Sequence, residues 1–209
     1  MKKFLIFWFI CLFLISCSKK QEQIQDPISK ALALSHKTID KSIIKDDLNH
    51  FLKKYKQNWT DKNRNHCINI LYCGQQEFQI DYKIILGLIA TESEFRITVQ
   101  RKNIRKGRVK SVDFGLTQQN SRYYKDRYRA TIPYLKQYRI KYTDSKFDMA
   151  KNIFSCYMIL SDTNKYGNLI HFKDFIASYN VGVHGTKHDY MQKTIDEYYN
   201  RFMKNYMEI

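Results

Sequence analysis

Apolar side chains recur at helical spacing over most of the chain after residue 40. Residues 41–57 place an apolar stripe on one side of a predicted helix, formed by Ile44, Leu48, Phe51, Leu52 and Tyr55. A second helix is predicted over 65–73, and a third opens near Asp81, whose carboxylate suits the N-cap position. Beyond residue 120 the same spacing predicts four more helices, at 121–139, 147–161, 171–179 and 187–206.

The third predicted helix is apolar on most of its sides, which predicts a central position in the fold. Its apolar residues are Ile84, Ile85, Leu86, Leu88 and Ile89. Glu92 follows Leu88 by four residues and Ile85 by seven, so the three share one face of the helix. Because burial disfavours a charged carboxylate, a glutamate on that face should hold its proton above the usual pKa. This spacing favours the interpretation of Glu92 as a general acid. The alternative is an ordinary helix end at which Glu92 and Glu94 are both solvated.

The segment 96–114 breaks the helical pattern and contains seven cations. Ile97 and Val99, followed by Val109 and Val112, predict two short strands around a turn at Lys106-Gly107. The chain has seven glycines and two prolines and shows no long strand pattern, which favours helices elsewhere. We therefore predict a predominantly α domain with a small β-hairpin near 97–112.

The N-terminus is typical of an export signal. Two lysines precede an apolar run that ends in Leu14-Ile15-Ser16-Cys17, and this run is too short and wrongly flanked for a spanning helix. The Leu-Ile-Ser-Cys ending resembles a bacterial lipobox, in which the cysteine becomes the acylated first residue. The prediction is a signal peptide over 1–16, an acylated N-terminus and tether over 17–40, and one domain over 41–209. An uncleaved membrane anchor is the alternative; either way the domain faces the periplasm or cell wall from a membrane.

The charge balance indicates which partners to expect. The formal net charge is +16, and removing the signal with its two lysines leaves about +14. Such a surface favours polyanions, namely phospholipid headgroups, anionic wall polymers or nucleic acid. Export makes nucleic acid the least suitable of the three, so no nucleic-acid partner is expected, and protein partners stay unknown.

Cysteines and histidines add no predicted metal site. Three cysteines remain for the domain: Cys67, Cys73 and Cys156. We expect them to be buried apolar residues, and the sequence does not indicate which two would form a disulfide. His184 and His188 are four residues apart, but the lack of a third ligand and the nearby glycines predict a loop. No cofactor is expected.

Three short blocks carry a family resemblance. They are Glu92-Ser93-Glu94-Phe95, then "DFGLTQQN" over 113–120, then "ASYNVG" over 177–182. Their order and spacing resemble the lytic transglycosylases of the lysozyme superfamily, whose signature is a helix ending in Glu-Ser, a Gly-Leu-Met-Gln turn and an Ala-Tyr-Asn segment. The resemblance covers roughly residues 63–206 and implies a lysozyme-like (goose-type/SLT) helical fold. Thr117 replaces the family's methionine, which would line the sugar cleft.

The resemblance implies that Glu92 is the catalytic acid and then base, acting on peptidoglycan glycan strands. Glycosidic cleavage needs a protonated carboxyl beside the leaving oxygen, and burial supplies that proton near neutral pH. The implied reaction cleaves the β-1,4 bond between N-acetylmuramic acid (MurNAc) and N-acetylglucosamine (GlcNAc), and it leaves a 1,6-anhydro-MurNAc end.

The same resemblance implies the substrate-binding residues: Ser93 would steady the site by hydrogen bonding, Gly115 would let the backbone approach the sugar, and Gln118 would lie beside the cleft. Tyr179 and Asn180 match the Ala-Tyr-Asn segment. Each also has an ordinary structural interpretation: a helix-end cap for Ser93, a tight turn at Gly115, a surface amide for Gln118, and core packing or a helix cap for Tyr179 and Asn180. In the family the hydroxyl of the tyrosine that matches Tyr179 faces the glutamate. Tyr190 resembles a second cleft tyrosine. Two further tyrosines occupy positions where animal lysozymes carry sugar-stacking tryptophans, unless they are half-buried helix residues: Tyr123 and Tyr124.

Asp113 leaves the type of reaction open. The stretch "SVDFGLTQQNSRYY" is also similar to the turn of animal lysozymes that carries their second catalytic carboxylate, which matches Asp113. A lysozyme-type hydrolase using Glu92 and Asp113 is therefore one alternative to the transglycosylase. Another is a non-catalytic cell-wall-binding lipoprotein that uses the basic stretch 96–110. The neighbouring cations also predict an ion pair that holds the turn, between Asp113 and Arg105, Arg108 or Lys110.

Overall fold

The computed structural model describes residues 39–166 and 171–209. Within them the chain forms seven α-helices and a small three-stranded antiparallel sheet, so the prediction of a predominantly helical domain is confirmed. The predicted signal peptide, the lipid site at Cys17 and most of the predicted tether lie outside the described residues. No helix among the described residues is both long and apolar enough to cross a membrane.

The first three helices build the core, each with a side-chain cap at its N-terminus. They are α1 (Lys41–Lys54), α2 (Asp61–Phe78) and α3 (Tyr82–Ser93). Asp40, Thr60 and Asp81 accept backbone N–H groups of the first turns at 2.8, 3.2 and 2.9 Å, which satisfies donors that a helix start leaves unpaired. The N-cap predicted at Asp81 is thus confirmed. Helix α2 extends well beyond the predicted 65–73 because its polar ends conceal its length.

Helix α3 is the centre of the fold, as its composition predicts. All of its residues except Lys83 are buried, and it contacts α1, α2, α5 and α7. The three cysteines Cys67, Cys73 and Cys156 are buried free thiols, which confirms their expected apolar role.

The predicted hairpin and its turn are present, but the first strand begins after Ile97 and Val99, the residues that predict it, and a third strand joins the pair. Strand β1 (Gln100–Arg105) pairs with β2 (Arg108–Phe114), and β2 pairs with β3 (Gln119–Asn120). Lys106 and Gly107 form a two-residue turn with φ of 51° and 71°, the left-handed geometry that suits the twist of a tight hairpin. Strand β3 is two residues long, too short to show a period in the sequence.

Four more helices follow the sheet and complete the domain. They are α4 (Tyr124–Gln137), α5 (Met149–Tyr166), α6 (Phe172–Gly185) and α7 (Gln192–Tyr206), with a short 3₁₀ turn at Asp189–Met191 before α7. Of these, α5 and α7 contact α3, while α4 and α6 pack outside them. Helix α6 is kinked at Gly182, whose φ of 75° is left-handed. The predicted loop at His184 is therefore wrong, because the chain resumes a helical turn after this kink.

Candidate active site

An open cleft of about 1250 Å³ lies beside the end of α3. It is lined by residues of the sheet and of α4, α5 and α6, together with Glu92 from the last turn of α3. Four carboxylate residues line it: Glu92, Asp113, Asp126 and Asp162. Of these, Glu92 is the buried one, with 8% of its surface exposed.

A strained turn places Glu92 at the cleft. Helix α3 ends at Ser93, and the next two residues, Glu94 and Phe95, both have left-handed φ values of 53° and 62°. Such a conformation costs a bulky residue about 1–3 kcal/mol. The Phe95 ring is fully buried, and its centre lies 5.3 Å from that of Phe51 and 6.1 Å from that of Trp59. Trp59 Nε1 also donates to the Phe95 carbonyl at 3.1 Å. This packing stabilises the turn, so the helix stops one residue after Glu92.

The carboxyl of Glu92 is set up to keep a proton. Burial raises its pKa, and the nearby charge of Asp113 adds to that rise, whereas a hydrogen bond from Tyr198 and the charges of Arg101 and Arg201 act against it. Its position in the last turn of α3 also disfavours negative charge, because the helix dipole is negative there. The net direction is upward, which suits a general acid near neutral pH.

One oxygen of Glu92 is fixed and the other is free. Tyr198, in α7, donates its hydroxyl to Oε1 at 2.6 Å. Burial and the neighbouring carboxyl raise the pKa of Tyr198 well above its ordinary value, so the hydroxyl stays a neutral donor. Among the described residues no side chain bonds Oε2, which leaves that oxygen to exchange a proton with a molecule in the cleft.

Asp113 lines the same cleft in a different setting. Its Oδ1 accepts from Asn120 Nδ2 and its Oδ2 from Asn103 Nδ2, both at 2.7 Å. The predicted ion pair with Arg105, Arg108 or Lys110 is therefore wrong. The two asparagines come from the strands on either side of β2, where register holds short amides beside the carboxylate, while the longer cations extend into water.

The turn over 115–118 is fixed from behind by Asn152 of α5. Gly115 has a φ of 81°, and a Cβ added there would lie 2.5 Å from Asn152 Nδ2. The missing side chain thus makes room for Asn152, and Gly115 does not line the cleft. Thr117 is also buried and donates its backbone N–H to Asn152 Oδ1 at 2.7 Å. The Thr117 hydroxyl also bonds Asn152, so this side chain points at α5 and does not line the cleft.

Tyr179 supports this turn and does not bond to Glu92. Its hydroxyl donates to the Thr117 carbonyl at 2.6 Å and accepts from Gln119 Nε2 at 2.9 Å. The tyrosine hydroxyl that contacts the glutamate belongs to Tyr198, which sequence analysis missed. Tyr179 still lines the cleft beside the exposed Asn180.

Two polar atoms in the cleft wall lack partners. Gln118 lines the cleft and donates Nε2 to the Gly115 carbonyl at 2.8 Å, while its buried Oε1 has no hydrogen bond. Ser155 of α5 also lines the cleft, and its buried Oγ is likewise unpaired. Buried polar atoms are nearly always hydrogen-bonded in proteins, so these two are exceptions among the described residues.

The remaining predicted site residues divide between the cleft and the scaffold. Tyr123 lines the cleft and is 55% exposed as a residue. The guanidinium carbon of Arg127 lies 5.4 Å from the centre of its ring. Tyr124 packs edge-on against Phe114 at 4.8 Å, away from the cleft. Ser93 is fully buried and donates its hydroxyl to the Ile89 carbonyl, which is the helix-end interpretation.

Tyr190 does not take the position of a second cleft tyrosine. It is 79% exposed, stacks on His188 and does not line the cleft. No group of three metal-binding side chains occurs in the part of the chain that the structure describes. Comparisons with protein-family models, curated proteins and solved structures found no match to the chain.

Proposed function

We propose that this protein is a peptidoglycan lytic transglycosylase with a lysozyme-like (goose-type/SLT) domain. The proposal rests on one observation above the others: a buried carboxyl with raised pKa, Glu92, has one oxygen held by a tyrosine and the other free in an open cleft. The resemblance at 92–95, 113–120 and 177–182 supplies the substrate, a MurNAc–GlcNAc strand.

The first chemical step uses Glu92 as an acid. The Oε2 proton passes to the glycosidic oxygen as the bond from C1 of MurNAc to that oxygen breaks, and GlcNAc leaves with a new hydroxyl. The N-acetyl oxygen of MurNAc bonds to C1 in its place. Tyr198 then stabilises the new Glu92 carboxylate through its bond to Oε1, since hydrogen bonds to charged groups are the stronger kind.

The second step uses the same residue as a base. Glu92 takes the proton of the C6 hydroxyl of MurNAc, the C6 oxygen attacks C1, and the bond from the N-acetyl oxygen breaks. The product is a 1,6-anhydro ring, the enzyme recovers its proton, and no water is consumed. A single carboxyl performs both transfers, and the reaction needs no cofactor.

The cleft walls offer suitable contacts for a sugar chain. The exposed ring of Tyr123 provides a flat apolar face, and Asn180 an exposed amide. Sugar hydroxyls and N-acetyl groups can form hydrogen bonds with such an amide.

A lysozyme-type hydrolase is the second candidate, because Asp113 lines the same cleft and its charge raises the pKa of Glu92. That reaction needs Asp113 either as a nucleophile or as the base for a water molecule. Both oxygens of Asp113 already accept a short amide hydrogen bond, which fixes the carboxylate and occupies lone pairs that an attack on C1 or on a water proton would use. We therefore favour the single-glutamate reaction.

The third candidate is a non-catalytic wall-binding lipoprotein. Such a protein has no function for a buried carboxyl that keeps its proton, so we favour an enzyme.

We propose that the enzyme is exported and anchored through Cys17. Metabolic labelling with a fatty-acid analogue should mark the wild type and not Cys17→Ser; equal labelling of both would place the lipid elsewhere.

The decisive experiment is mass spectrometry of the sugar ends released from purified peptidoglycan. We expect 1,6-anhydro-MurNAc ends that depend on Glu92. Reducing ends as the main product would establish the hydrolase. If no fragments were released, the non-catalytic binding protein would be the remaining candidate.

A further inference from the structure

The outer part of the β1–β2 hairpin, beyond Asp113, is a strongly cationic surface. Over residues 100–112 it carries six cations and no acid: Arg101, Lys102, Arg105, Lys106, Arg108 and Lys110. All six are exposed. The ion pairs of the described residues all lie elsewhere in the domain. The hairpin is therefore available to an anionic partner.

Two large apolar side chains lie among these cations near the tip. Ile104 and Val109 are 65% and 53% exposed. They are direct partners across the hairpin, so their side chains share one face. The register of the hairpin shifts between Asn103, which lines the cleft, and Ile104. Neither Ile104 nor Val109 lines the cleft, so the apolar pair is not part of the proposed active site.

Cations and an apolar pair together select one kind of partner. A soluble anionic polymer would use the cations alone and gain nothing from exposed Ile104 and Val109. An anionic bilayer uses both, because headgroups attract the cations while apolar side chains enter the acyl boundary. Each cation near such a surface strengthens binding by about fivefold.

We propose that the hairpin tip, residues 104–110, is a docking surface for an anionic phospholipid membrane. The apolar pair enters the interface and the surrounding cations contact the headgroups. Because neither Ile104 nor Val109 lines the cleft, docking through this pair leaves the cleft open to a glycan strand. The surface is a contact separate from the proposed lipid at Cys17, and a single acyl chain alone holds a protein only marginally.

The test measures tryptophan fluorescence from the hairpin tip when the full chain is mixed with lipid vesicles. Ile104→Trp introduces a reporter at the tip, and Ile43→Trp is the control, at a 50% exposed site on α1. Subtracting the spectrum of the unsubstituted chain removes its two native tryptophans. The N-terminal segment is the same in every variant, so it does not distinguish them.

We expect a blue shift of emission from Ile104→Trp with vesicles of phosphatidylcholine and phosphatidylglycerol in equal amounts. Phosphatidylcholine alone should give no shift, and Ile43→Trp should give none with either. A water-like spectrum of Ile104→Trp on the anionic vesicles, or equal shifts from both reporters, would overturn the proposal. So would a shift of the same size on adding soluble polyphosphate without vesicles, since a polymer offers no apolar phase.

A matched pair of charge variants tests the electrostatic part. Replacing Arg105, Arg108 and Lys110 by glutamine in the Ile104→Trp background should raise the vesicle concentration needed for half the shift by about a hundredfold, the product of three fivefold effects. The control replaces three exposed cations at and just after the end of α4 by glutamine, namely Lys136, Arg139 and Lys141. It should change the vesicle concentration for half the shift only a little. Equal effects from both sets would show a non-specific response to net charge and would also overturn the proposal.

Discussion

The end of α3 and the middle of the sheet present two carboxyl groups to one cleft, and the protein treats them in opposite ways. Glu92 is buried at a helix end, with a single tyrosine hydroxyl on one oxygen. Asp113 is half-buried on a strand, with an asparagine amide on each oxygen. Burial favours the neutral form of Glu92, while the two amides fix the orientation of the Asp113 carboxyl group.

The difference suggests a division of labour at the cleft. A group that stays protonated near neutral pH is suited to donate to a leaving oxygen, and a carboxyl held by two amides is suited to orient the sheet beside it. The two are also coupled, because the charge of Asp113 raises the pKa of Glu92. Changing either carboxyl, or the groups that hold it, should therefore separate catalysis from support.

The largest effect is expected from Glu92→Gln, which keeps the shape of the side chain but removes the transferable proton. Turnover of purified peptidoglycan should fall by about 10²–10⁴-fold. The matched control is Glu94→Gln, two residues along on an exposed side chain, and it should keep near-normal activity. Near-normal turnover in Glu92→Gln, with folding intact by circular dichroism, would remove Glu92 from the reaction.

Tyr198→Phe should have the next largest effect, because it deletes the donor that stabilises the Glu92 carboxylate. A hydrogen bond to a charged group contributes about 1.5–3 kcal/mol, so kcat/KM should fall by about ten- to a hundredfold. The bond lowers the pKa of Glu92. Its loss should therefore move the alkaline limb of the pH profile of kcat/KM to higher pH.

Tyr199→Phe is the control for this prediction. Tyr199 is the next residue of α7, and its ring packs on Phe172 outside the cleft. Loss of its hydroxyl should leave the pH profile in place. If both phenylalanine variants lowered activity without moving the alkaline limb, Tyr198 would have only a packing role.

Asp113→Asn should cost much less, within about tenfold, the scale of one or two neutral hydrogen bonds. Its charge raises the pKa of Glu92, so removing that charge should shift the alkaline limb to lower pH, opposite to Tyr198→Phe. Mass spectrometry should find 1,6-anhydro ends before and after the change. Near-complete loss together with reducing ends from the wild type would identify a two-carboxylate hydrolase.

Local sequence patterns predicted the burial of Glu92 and the tight turn of the hairpin. The first follows from its spacing after Ile85 and Leu88, and the second from a glycine between two β-branched runs. Both features depend on residues a few positions apart, where the period of the helix or strand sets the geometry. They needed no knowledge of how helices pack.

Contacts between distant elements escaped prediction for the same reason. Tyr198 lies 106 positions after Glu92 and is one of 16 tyrosines, so nothing local distinguishes it. Asn152 meets the Gly115 turn only through the packing of α5 behind the sheet. For Asp113 the nearby cations predicted a partner, but strand register decided in favour of asparagines.

The smallest expected effect concerns stability, and it ranks the three variants by the environment of Glu92. Its folded pKa is raised, so its contribution to stability is fully present below the ordinary glutamate pKa of about 4.3 and is lost as pH rises through the folded value. The free energy of unfolding should therefore fall with rising pH more steeply in the wild type than in Glu92→Gln. Tyr198→Phe raises that pKa further and should show the steepest fall, while Asp113→Asn should fall less than the wild type. Urea unfolding across this range measures the slopes, and equal slopes in all four proteins would mean that Glu92 ionises as readily in the folded chain as in the unfolded one.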